Sequence, residues 1–451
     1  MLHTFRFLLL TVIIGSLFLN TLCDFSEKRQ DFTFFNSPET KNLIYFDNAA
    51  TTQKPHIVIQ SLVDFYEHYC ANIHRGDYEL SRHATEQFEQ ARIKVARFVN
   101  AQKEEIIFTK GSTDGINFIA STWAMTELKD GDEILVTELE HNSNILPWLQ
   151  VSKKTGAVVK IIPVLPQGEL DMKELEHLLT TKTKLVALTH CSNAIGMVTD
   201  LSDIIARAHA KGARVLIDAA QSAPCRMVDV QELNPDFLVF SGHKLCGPTG
   251  IGVLYIKKEL TGTLIPYQWG GGMVDIVHDF EHVELNDVPE KFEAGTPAIA
   301  QAIALGAAID YVSTLDKELI KNHLANLCSR MIDGLENIGH VRILGSTEQL
   351  KKNGHVVSFI VENLPTEIVS KYLDQHGICV RTNKHCAHLL AHRLGYDSSI
   401  RASFYIYNTI EEVDLFINTL REFMNTQYAA LAGQVKRTSI DRAHHLWGDV
   451  S

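Results

Sequence analysis

The sequence predicts an α/β protein in which a large domain, built on a mostly parallel central sheet, precedes a smaller C-terminal α+β domain. Two observations carry this prediction. From residue 45 onward, short apolar runs of strand length alternate with stretches of helical periodicity. The runs lack polar alternation, which is typical of strands that are buried on both faces in a parallel sheet covered by helices.

Composition excludes two classes of protein. The chain has 451 residues, of which 45% are hydrophobic and 21% charged, as in a globular protein and unlike a disordered one. Its 54 acidic and 42 basic residues give a net charge of −12, and its basic runs are no longer than pairs such as Lys153-Lys154. Binding to nucleic-acid phosphates needs clustered Lys and Arg, so nucleic acid is not an expected partner.

The first 23 residues are interpreted as a signal, targeting or anchor segment. Arg6 precedes an apolar run over residues 7–19, which is shorter than the roughly 20 residues of a spanning helix and fits the core of a secretory signal cut after Cys23. A short membrane anchor, part of a bipartite organelle signal and a start codon assigned too far upstream are the open alternatives. Residues 24–45 are interpreted as an N-terminal arm.

The eight cysteines are expected to be free thiols. None forms a CxxC pair, and only Cys379, His385 and Cys386 come near the spacing of metal ligands. At this chain length, scattered cysteines favour a reducing compartment over a disulfide framework. The 21 histidines are also scattered and contain no HExxH motif, so no metal site is predicted.

The large domain is assigned to residues 46–290. One of its helices is predicted to bury a face that steps along the chain by three or four residues, formed by Ala84, Phe88, Ala91, Val95 and Phe98. Strands are predicted at 106–109, 134–136, 158–164, 185–188, 215–217, 237–240 and 251–256, with a helix at 201–211. A Gly-rich, acidic stretch at 270–295 is expected to form a hairpin or lid.

The small domain is assigned to residues 291–430. Helices are predicted near 297–313, 316–338, 365–376 and 411–425, and strands near 341–345, 355–361 and 378–382. Periodicity is lost after residue 430, so residues 431–451 are interpreted as a surface tail.

Two charged residues end neighbouring strands of the large domain. Lys244 follows the strand at 237–240, in a loop with three glycines and a proline, at the strand end where α/β sheets bind ligands. Burial there would lower the pKa of its amine and make it nucleophilic. Asp218 ends the strand at 215–217. A lysine and an acid in this arrangement are what pyridoxal phosphate requires, one for a Schiff base and one for the pyridine nitrogen.

A phosphate cradle is predicted between the strand at 106–109 and the helix that follows. Gly111 makes the turn, and Ser112 and Thr113 begin the helix, where free N–H groups and the helix dipole favour an anion. Alone, this motif fits an ordinary capped helix equally well. Together with Lys244 and Asp218, it indicates a site for a phosphorylated cofactor.

Nine segments, in one order, extend the pattern over residues 46–423. They are Asp47-Asn48-Ala49-Ala50 with Gln53-Lys54-Pro55, His74-Arg75-Gly76, Glu140-His141-Asn142-Ser143-Asn144 with Pro147-Trp148, Thr189-His190-Cys191-Ser192-Asn193, Asp218-Ala219-Ala220-Gln221, Ser241-Gly242-His243-Lys244, Phe292-Glu293-Ala294-Gly295-Thr296-Pro297, Arg381-Thr382-Asn383-Lys384-His385-Cys386-Ala387 and Arg401-Ala402-Ser403. The pattern resembles pyridoxal phosphate-dependent enzymes of fold type I in aminotransferase class V. The segment around Cys386 is specific to the SUF-type cysteine desulfurases within that class.

The resemblance implies how the cofactor is held. Lys244 would bind it as a Schiff base and carry the substrate Cα proton, and His141 would stack on the pyridine ring and act in acid–base steps. Asp218 would pair with the pyridinium nitrogen, and Gln221 would hydrogen-bond the phenolic oxygen. The phosphate would be held by Ser112, Thr113, Ser241 and His243. Thr296 would reach the phosphate in a neighbouring subunit, which implies a homodimer.

The resemblance also implies the substrate site. Arg401 would clamp the carboxylate of L-cysteine in a bidentate pair, with Asn193 assisting and Arg381 lining the same pocket. Cys386 would be the nucleophile. Its local sequence supports this role independently, because His385, Arg381 and other positive neighbours would lower the pKa of its thiol. Cys379, inside an apolar strand, is the expected structural thiol.

The implied function is conversion of L-cysteine to L-alanine with a persulfide on Cys386. The sulfur would pass to an acceptor of SufE/SufU type or to a scaffold for iron–sulfur cluster assembly. Because thiolates are oxidised or exchanged in an oxidising space, a reducing interior is expected, either the cytoplasm or an organelle such as a plastid.

Three alternatives stay open at this point. One is a related activity, such as selenocysteine lyase, cysteine sulfinate desulfinase or another class V reaction; a transaminase would have no use for Cys386. A second is a non-catalytic binding protein that kept the fold, which the presence of Lys244, Asp218 and His141 argues against. A third is a histidine-rich metal protein. Asn383-Lys384 stand where the desulfurases usually have Gly and His.

Overall fold

A computed structural model describes residues 25–279 and 282–427 of the chain. The predicted leader at 1–23 and the predicted tail at 431–451 therefore lie outside the described residues. Within the described part of the chain, no helix is both long and apolar enough to cross a membrane.

The large domain is built on a seven-stranded sheet. Its strands are β2 (Ile106–Thr109), β3 (Glu133–Thr137), β4 (Val158–Ile162), β5 (Thr183–Thr189), β6 (Arg214–Asp218), β7 (Phe237–Ser241) and β8 (Gly252–Ile256). They lie in the order β2-β8-β7-β6-β5-β3-β4. The pairs from β7 through β4 are parallel, and β8 pairs antiparallel with both β7 and β2. The predicted α/β fold class with a mostly parallel sheet is confirmed.

Both faces of this sheet are covered, as the sequence predicts. In β5, Leu185 and Ala187 contribute to one buried cluster, whereas Val186 and Leu188 contribute to the cluster on the opposite face. The strand β4 is the exception. It lies at the edge of the sheet, and its Val158 is 48% exposed, so the expectation that this run is buried on both faces is wrong.

The helices of the described chain alternate with these strands and then dominate the second half. They are α1 (Ser26–Arg29), α2 (His56–His68), α3 (Glu79–Val99), α4 (Ser112–Ile119), α5 (Met125–Glu127), α6 (Leu146–Thr155), α7 (Met172–Leu178), α8 (Leu201–Ala210), α9 (Val230–Leu233), α10 (Lys258–Thr261), α11 (Ile299–Ser313), α12 (Lys317–Glu336), α13 (Thr347–Asn353), α14 (Thr366–Gln375), α15 (His388–Leu394) and α16 (410–427). The predicted helix face from Ala84 to Val95 is buried, and Phe98 is partly buried.

The second sheet is smaller and antiparallel. Its strands β11 (Val341–Leu344), β12 (Val356–Val361), β14 (Arg381–Asn383) and β15 (Ser399–Ser403) lie in the order β11-β12-β15-β14. The strand predicted at 378–382 is divided in two. Its first part, β13 (Ile378–Cys379), pairs in parallel with β1 (Ile44–Tyr45), and only its second part joins the small sheet. The hairpin expected within 270–295 is present as β9 (Val274–Val277) and β10 (Val283–Leu285).

Two segments, the N-terminal arm before residue 46 and the helix that begins near residue 300, pack across the predicted domain boundaries. In the N-terminal arm, Phe32 contacts Tyr407 edge-on, and Arg29 pairs with Glu412 at 2.8 Å. The arm therefore packs against the C-terminal half of the chain.

Helix α11 packs mainly against α2 and α3. A Cβ on Gly306 would lie 2.9 Å from the Cβ of Ala91, so this glycine permits the close approach of α11 to α3. The division at residues 290 and 291 stays a prediction, and this packing favours placing it after Ser313.

Candidate active site

A cavity of about 310 Å³ opens at the carboxyl ends of β5, β6 and β7. The last residues of these strands, Thr189, Asp218 and Ser241, line it, as expected for a ligand site in an α/β sheet. The predicted site residues that line it are Ser112, Thr113, His141, Asn193, Asp218, Gln221, Ser241, His243, Lys244, Arg381, Cys386 and Arg401. Of the predicted set, Thr296 lies elsewhere, where it lines two other surface cavities.

Lys244 is held at the end of a short 3-10 turn that follows β7. The carbonyl of the preceding His243 accepts hydrogen bonds from Thr51 Oγ1 at 2.9 Å, Thr52 N at 3.1 Å and Lys54 Nζ at 3.0 Å. Burial lowers the pKa of Lys244 to about 8. The Asp218 carboxylate acts to raise this pKa, and the nearby arginines act to lower it further. The amine is therefore partly neutral near pH 7, as a Schiff-base lysine requires.

Asp218 is a buried carboxylate on the neighbouring strand. Its Oδ1 accepts a hydrogen bond from Ala220 N at 2.9 Å. Burial raises the pKa of Asp218, whereas this N–H and the Lys244 ammonium act in the opposite direction. An acid held in this way can keep a pyridine nitrogen protonated.

The start of α4 forms the predicted cradle. Ser112 N donates to Ser241 Oγ at 2.9 Å, and the two serine hydroxyls lie 3.0 Å apart. Burial lowers the pKa of His243 to about 4, helped by Lys244 and Lys54, so its ring is neutral at pH 7. Two hydroxyls and the first N–H groups of a helix suit a phosphate group.

His141 is neutral, with its proton on Nε2. Ser143 N donates to His141 Nδ1 at 3.1 Å, so Nδ1 is the unprotonated nitrogen. Burial lowers the pKa of His141 to about 4, and the charges of Lys244 and Arg401 add to the effect. The hydroxyl of Ser143 also contacts Thr113 Oγ1 at 2.7 Å, which links this histidine to the cradle.

Two arginines from neighbouring strands line the same cavity. Arg381 on β14 lies directly across from Arg401 on β15. The guanidinium of Arg401 is buried, and its Nη1 donates to Asn193 O at 2.8 Å. Asp47, which begins the first of the nine motif segments but has no role assigned from the sequence, pairs with both arginines.

Cys386 is exposed in the loop between β14 and α15. Asn383, His385 and Cys386 all have positive φ angles, of 94°, 51° and 56°, in the region that favours glycine. The loop is tied down by Asn142 N, which donates to Cys386 O at 2.7 Å.

The expectation that His385 adds a positive charge beside the thiol is wrong. Its ring is buried, and Nε2 lies 2.9 Å from Ser399 Oγ. Burial lowers the pKa of His385 to about 3, and the charges of Arg401 and Arg381 lower it further, so the ring is neutral at pH 7. The two arginines and Lys244 are then the cationic groups lining the cavity.

Sequence reasoning did not predict a buried polar chain that runs from Gln221 through His355 to Cys191. Gln221 Nε2 donates to Ala49 O at 2.8 Å, and its Oε1 lies 3.2 Å from His355 Nε2. The other ring nitrogen of His355 lies 3.9 Å from the Sγ of Cys191, a thiol that also lines the cavity. Because these residues come from separate segments, no local pattern in the sequence indicates the chain.

The residues present fit pyridoxal 5′-phosphate. The cavity is at the lower end of the volumes of small-molecule sites, roughly 300–1,000 Å³. It combines an amine of lowered pKa, a buried carboxylate and a cradle of hydroxyls and N–H groups, which match the aldehyde, ring nitrogen and phosphate of that cofactor.

Comparison with known proteins gives the family. The aminotransferase class V model matches residues 44–416. The chain belongs to the aminotransferase class V family. The class V resemblance carried by the motifs is therefore confirmed. A curated relative, the probable cysteine desulfurase of Synechocystis sp., is 45% identical over 395 residues, which cover 87% of this chain and 94% of the relative.

Solved structures agree with this assignment. The apo structure of a cysteine desulfurase from Thermococcus onnurineus has a TM-score of 0.84 and 39% identity, over 88% of this chain and 97% of that chain. A mutant of C-DES with glycine covalently linked to its pyridoxal phosphate cofactor has a TM-score of 0.74 and 26% identity, over 87% of this chain and 98% of that chain.

Proposed function

We propose that this class V protein is a pyridoxal phosphate-dependent cysteine desulfurase, which converts L-cysteine to L-alanine and retains the sulfur as a persulfide on Cys386. The observation that carries the proposal is one cavity that combines the Lys244 amine, a pair of arginines and the Cys386 thiol. A transaminase needs the first two features and has no use for the third.

The chain's residues have distinct tasks in this reaction. When bound, pyridoxal phosphate supplies an electron sink for the negative charge that develops at the substrate Cα. Lys244 holds the cofactor and then, as a free amine with a pKa of about 8, takes the Cα proton. Asp218 keeps the ring nitrogen protonated, and Gln221 bonds the phenolic oxygen. Ser112, Thr113, Ser241 and His243 hold the phosphate.

The remaining residues act on the substrate. Arg401 binds the carboxylate with help from Asn193, and Arg381 lines the same end of the cavity. The Cys386 sulfur attacks the sulfur of L-cysteine, the Cβ–S bond breaks, and the proton that completes alanine is returned by an acid–base group such as Lys244. One thiol and one L-cysteine thereby become one persulfide and one L-alanine, so no external oxidant or reductant is needed.

The proposal also includes the oligomeric state of the protein and the destination of the sulfur. Thr296 serves the phosphate of a second subunit, so the active form is a homodimer; its distance from this chain's own cavity supports that role. The persulfide passes to a SufE/SufU-type acceptor or a scaffold for iron–sulfur clusters, as in SUF-type desulfurases. The exposed thiol of Cys386 requires a reducing compartment, either cytoplasm or an organelle such as a plastid.

The test measures both products together. Protein loaded with pyridoxal phosphate is given L-cysteine and a reductant, and alanine and sulfide are quantified. We expect equal amounts, lost in Cys386→Ala and kept in Cys70→Ala, which removes an exposed thiol outside the cavity. No alanine from L-cysteine would refute the desulfurase, and L-selenocysteine and cysteine sulfinate, assayed as selenide and sulfite, would then be tested as substrates.

A further inference from the structure

Gln221 and His355 bring the large and the small sheet into contact beside the cavity. Gln221 follows the last residue of β6 after a short turn, and His355 directly precedes β12. The Oε1 of Gln221 lies 3.2 Å from His355 Nε2, and the two residues are only 4% and 5% exposed. A hydrogen bond between them is therefore shielded from bulk water, where it is stronger and where its loss is more costly.

The orientation of the Gln221 amide follows from its other neighbour. Ala49 O lies 2.8 Å from Gln221 Nε2, and a carbonyl oxygen can only accept. The NH2 group must therefore face Ala49, since the reversed amide would set two acceptors against each other. The amide oxygen then faces His355, and His355 Nε2 is the donor. The second N–H of the amide is left for the cavity, which Gln221 and Ala49 both line.

The His355 ring has one proton, and its surroundings place that proton on Nε2. Burial lowers the pKa of His355 to about 3, and the charges of Arg226, Arg401 and Lys244 lower it further, so the ring is neutral at pH 7. Its Nδ1 faces the Cys191 thiol at 3.9 Å, which stays protonated because burial raises its pKa to about 12. A proton on Nδ1 would meet a poor acceptor there, whereas a proton on Nε2 meets an amide oxygen.

Backbone contacts hold the His355 ring at this distance from Gln221. The carbonyl of His355 accepts from Phe404 N at 2.8 Å, which ties it to the segment after β15. Two residues before the histidine, Asn353 O accepts from Nη2 of Arg226, which lies on the same turn region as Gln221. The imidazole and the amide are thus each fixed by the sheet that carries them.

We propose that His355 is a positioning residue for the cofactor, because its Nε2–H fixes the Gln221 amide with an N–H turned towards the phenolic oxygen of pyridoxal phosphate. This inference rests on the proposed function and extends it by naming the group that orients Gln221. Without His355, the buried Oε1 would lack a donor, and the amide would leave this orientation for one that satisfies it. The phenolic oxygen would then lose its hydrogen bond.

The test replaces the imidazole by two neutral amides of different reach. A glutamine places its Nε2 about as far along the side chain as histidine does, whereas asparagine reaches only as far as Nδ1. Protein loaded with pyridoxal phosphate is titrated with acid and base, and the midpoint of the change in visible absorbance is recorded. An N–H at the phenolic oxygen stabilises its anion and so lowers the pH at which the bound cofactor loses its proton.

The two variants should therefore differ. His355→Gln should keep the wild-type midpoint, and His355→Asn should raise it by about one pH unit, the usual size of a hydrogen bond to a charged group. The dissociation constant of pyridoxal phosphate should rise about tenfold in His355→Asn alone. Besides Lys244, which holds the cofactor, the charged and imidazole groups that line the cavity are the same in both variants: His141, Asp218, His243, Arg381, His385 and Arg401.

A double-mutant cycle separates this role from general loosening of the small domain. In Gln221→Ala the receiving amide is absent, so the midpoint should rise as in His355→Asn, and adding His355→Asn should produce no further shift. Leu350→Ala is the matched control. Leu350 is buried, and its carbonyl accepts from Gly354 N at 2.8 Å, so this change opens a cavity next to His355 without touching Gln221. Its midpoint should stay at the wild-type value.

The proposal is overturned by a wild-type midpoint in His355→Asn, by an equal shift in Leu350→Ala, or by a further shift when His355→Asn is added to Gln221→Ala. If His355→Asn does not fold, Gln221→Ala must still give the higher midpoint and His355→Gln the wild-type one, and either result reversed overturns it. These readings need only the bound cofactor. Absence of alanine from L-cysteine would therefore refute the desulfurase, and the absorbance would still decide the role of His355.

Discussion

The lowered pKa of Lys244 makes a quantitative prediction about how the protein captures its cofactor. Only the neutral amine attacks an aldehyde. A lysine with the ordinary pKa of 10.5 is neutral in roughly 0.03% of molecules at pH 7, whereas a pKa of about 8 gives about 10%. Lys244 should therefore react at pH 7 about 300-fold more often, per amine, than a lysine with an unshifted pKa.

The assay mixes cofactor-free protein with pyridoxal 5′-phosphate and follows visible absorbance between pH 6 and pH 10. We expect the capture rate to rise about tenfold per pH unit below pH 8 and to level off above it. Nα-acetyl-lysine, measured in parallel, corrects for the ionisations of pyridoxal phosphate itself. A rate that keeps rising to pH 10 in parallel with this free amine would refute the reasoning.

Two variants test the causes separately. The Asp218 carboxylate raises the pKa of Lys244, so Asp218→Asn should move the midpoint of the capture profile to lower pH. The Arg381 guanidinium lowers that pKa, so Arg381→Gln should move the midpoint to higher pH. Shifts in the same direction for both variants would show that charge is not the cause, and burial alone would remain as the explanation.

Three further predictions concern stability and cofactor affinity. Burial lowers the pKa of five histidines, to about 4 for His141, His190 and His243 and to about 3 for His355 and His385. Only the unfolded chain binds their protons just below pH 6.5, so the free energy of unfolding should fall as pH falls from 6.5 towards 4, by at most about 1.4 kcal/mol per pH unit for a fully buried histidine such as His355, measured by urea titration. Arg92→Ala leaves the buried carboxylate of Glu293 without its ion-pair partner, with the hydrogen bond from Phe108 N remaining, and should cost about 3–5 kcal/mol in the same assay. In Gly115→Ala, the new Cβ lies 2.8 Å from Val239 Cγ1, and such overpacking costs about 1–3 kcal/mol in the free energy of unfolding. The shift of α4 that relieves the contact should displace the cradle and weaken binding of pyridoxal phosphate.

Each of these has a matched control. Replacing His355 should flatten the pH dependence, whereas replacing the exposed His177 should leave it unchanged, and equal slopes would contradict the assignment. Arg330→Ala breaks an exposed pair and should cost much less than Arg92→Ala. Gly262→Ala places its Cβ in open space and should leave cofactor affinity at the wild-type value. Similar losses in Gly115→Ala and Gly262→Ala would show that close packing of α4 is not what positions the cradle.

Much of the fold and site could be predicted from local patterns. The strands of the central sheet were found because each contains a short apolar run, and burial on both faces removes the need for polar alternation in all of them except the edge strand β4. Lys244 and Asp218 could be recognised because they stand at the ends of such runs, where parallel strands bring side chains to one edge. The motif around Cys386 indicated the nucleophile and the class of reaction.

What the sequence could not determine depends on which distant segments meet. The run at 378–382 is continuous in sequence, yet its halves pair with different strands, and this places Arg381 opposite Arg401. The neutral state of His385 follows from burial of its ring, which its position beside Cys386 in the sequence does not indicate.

The sequence by itself therefore determined the fold class and the cofactor chemistry, which follow from periodicity and from residues at strand ends. It indicated the candidate nucleophile through the resemblance of the Cys386 segment to the SUF-type cysteine desulfurases. The tertiary structure alone decided which charged groups of the cavity meet. Asp47 and Arg401 are far apart in the chain, and only the pairing of the N-terminal arm with the small domain brings the carboxylate within 3.0 Å of the guanidinium. Strand register, which is a property of long-range contacts, sets that distance.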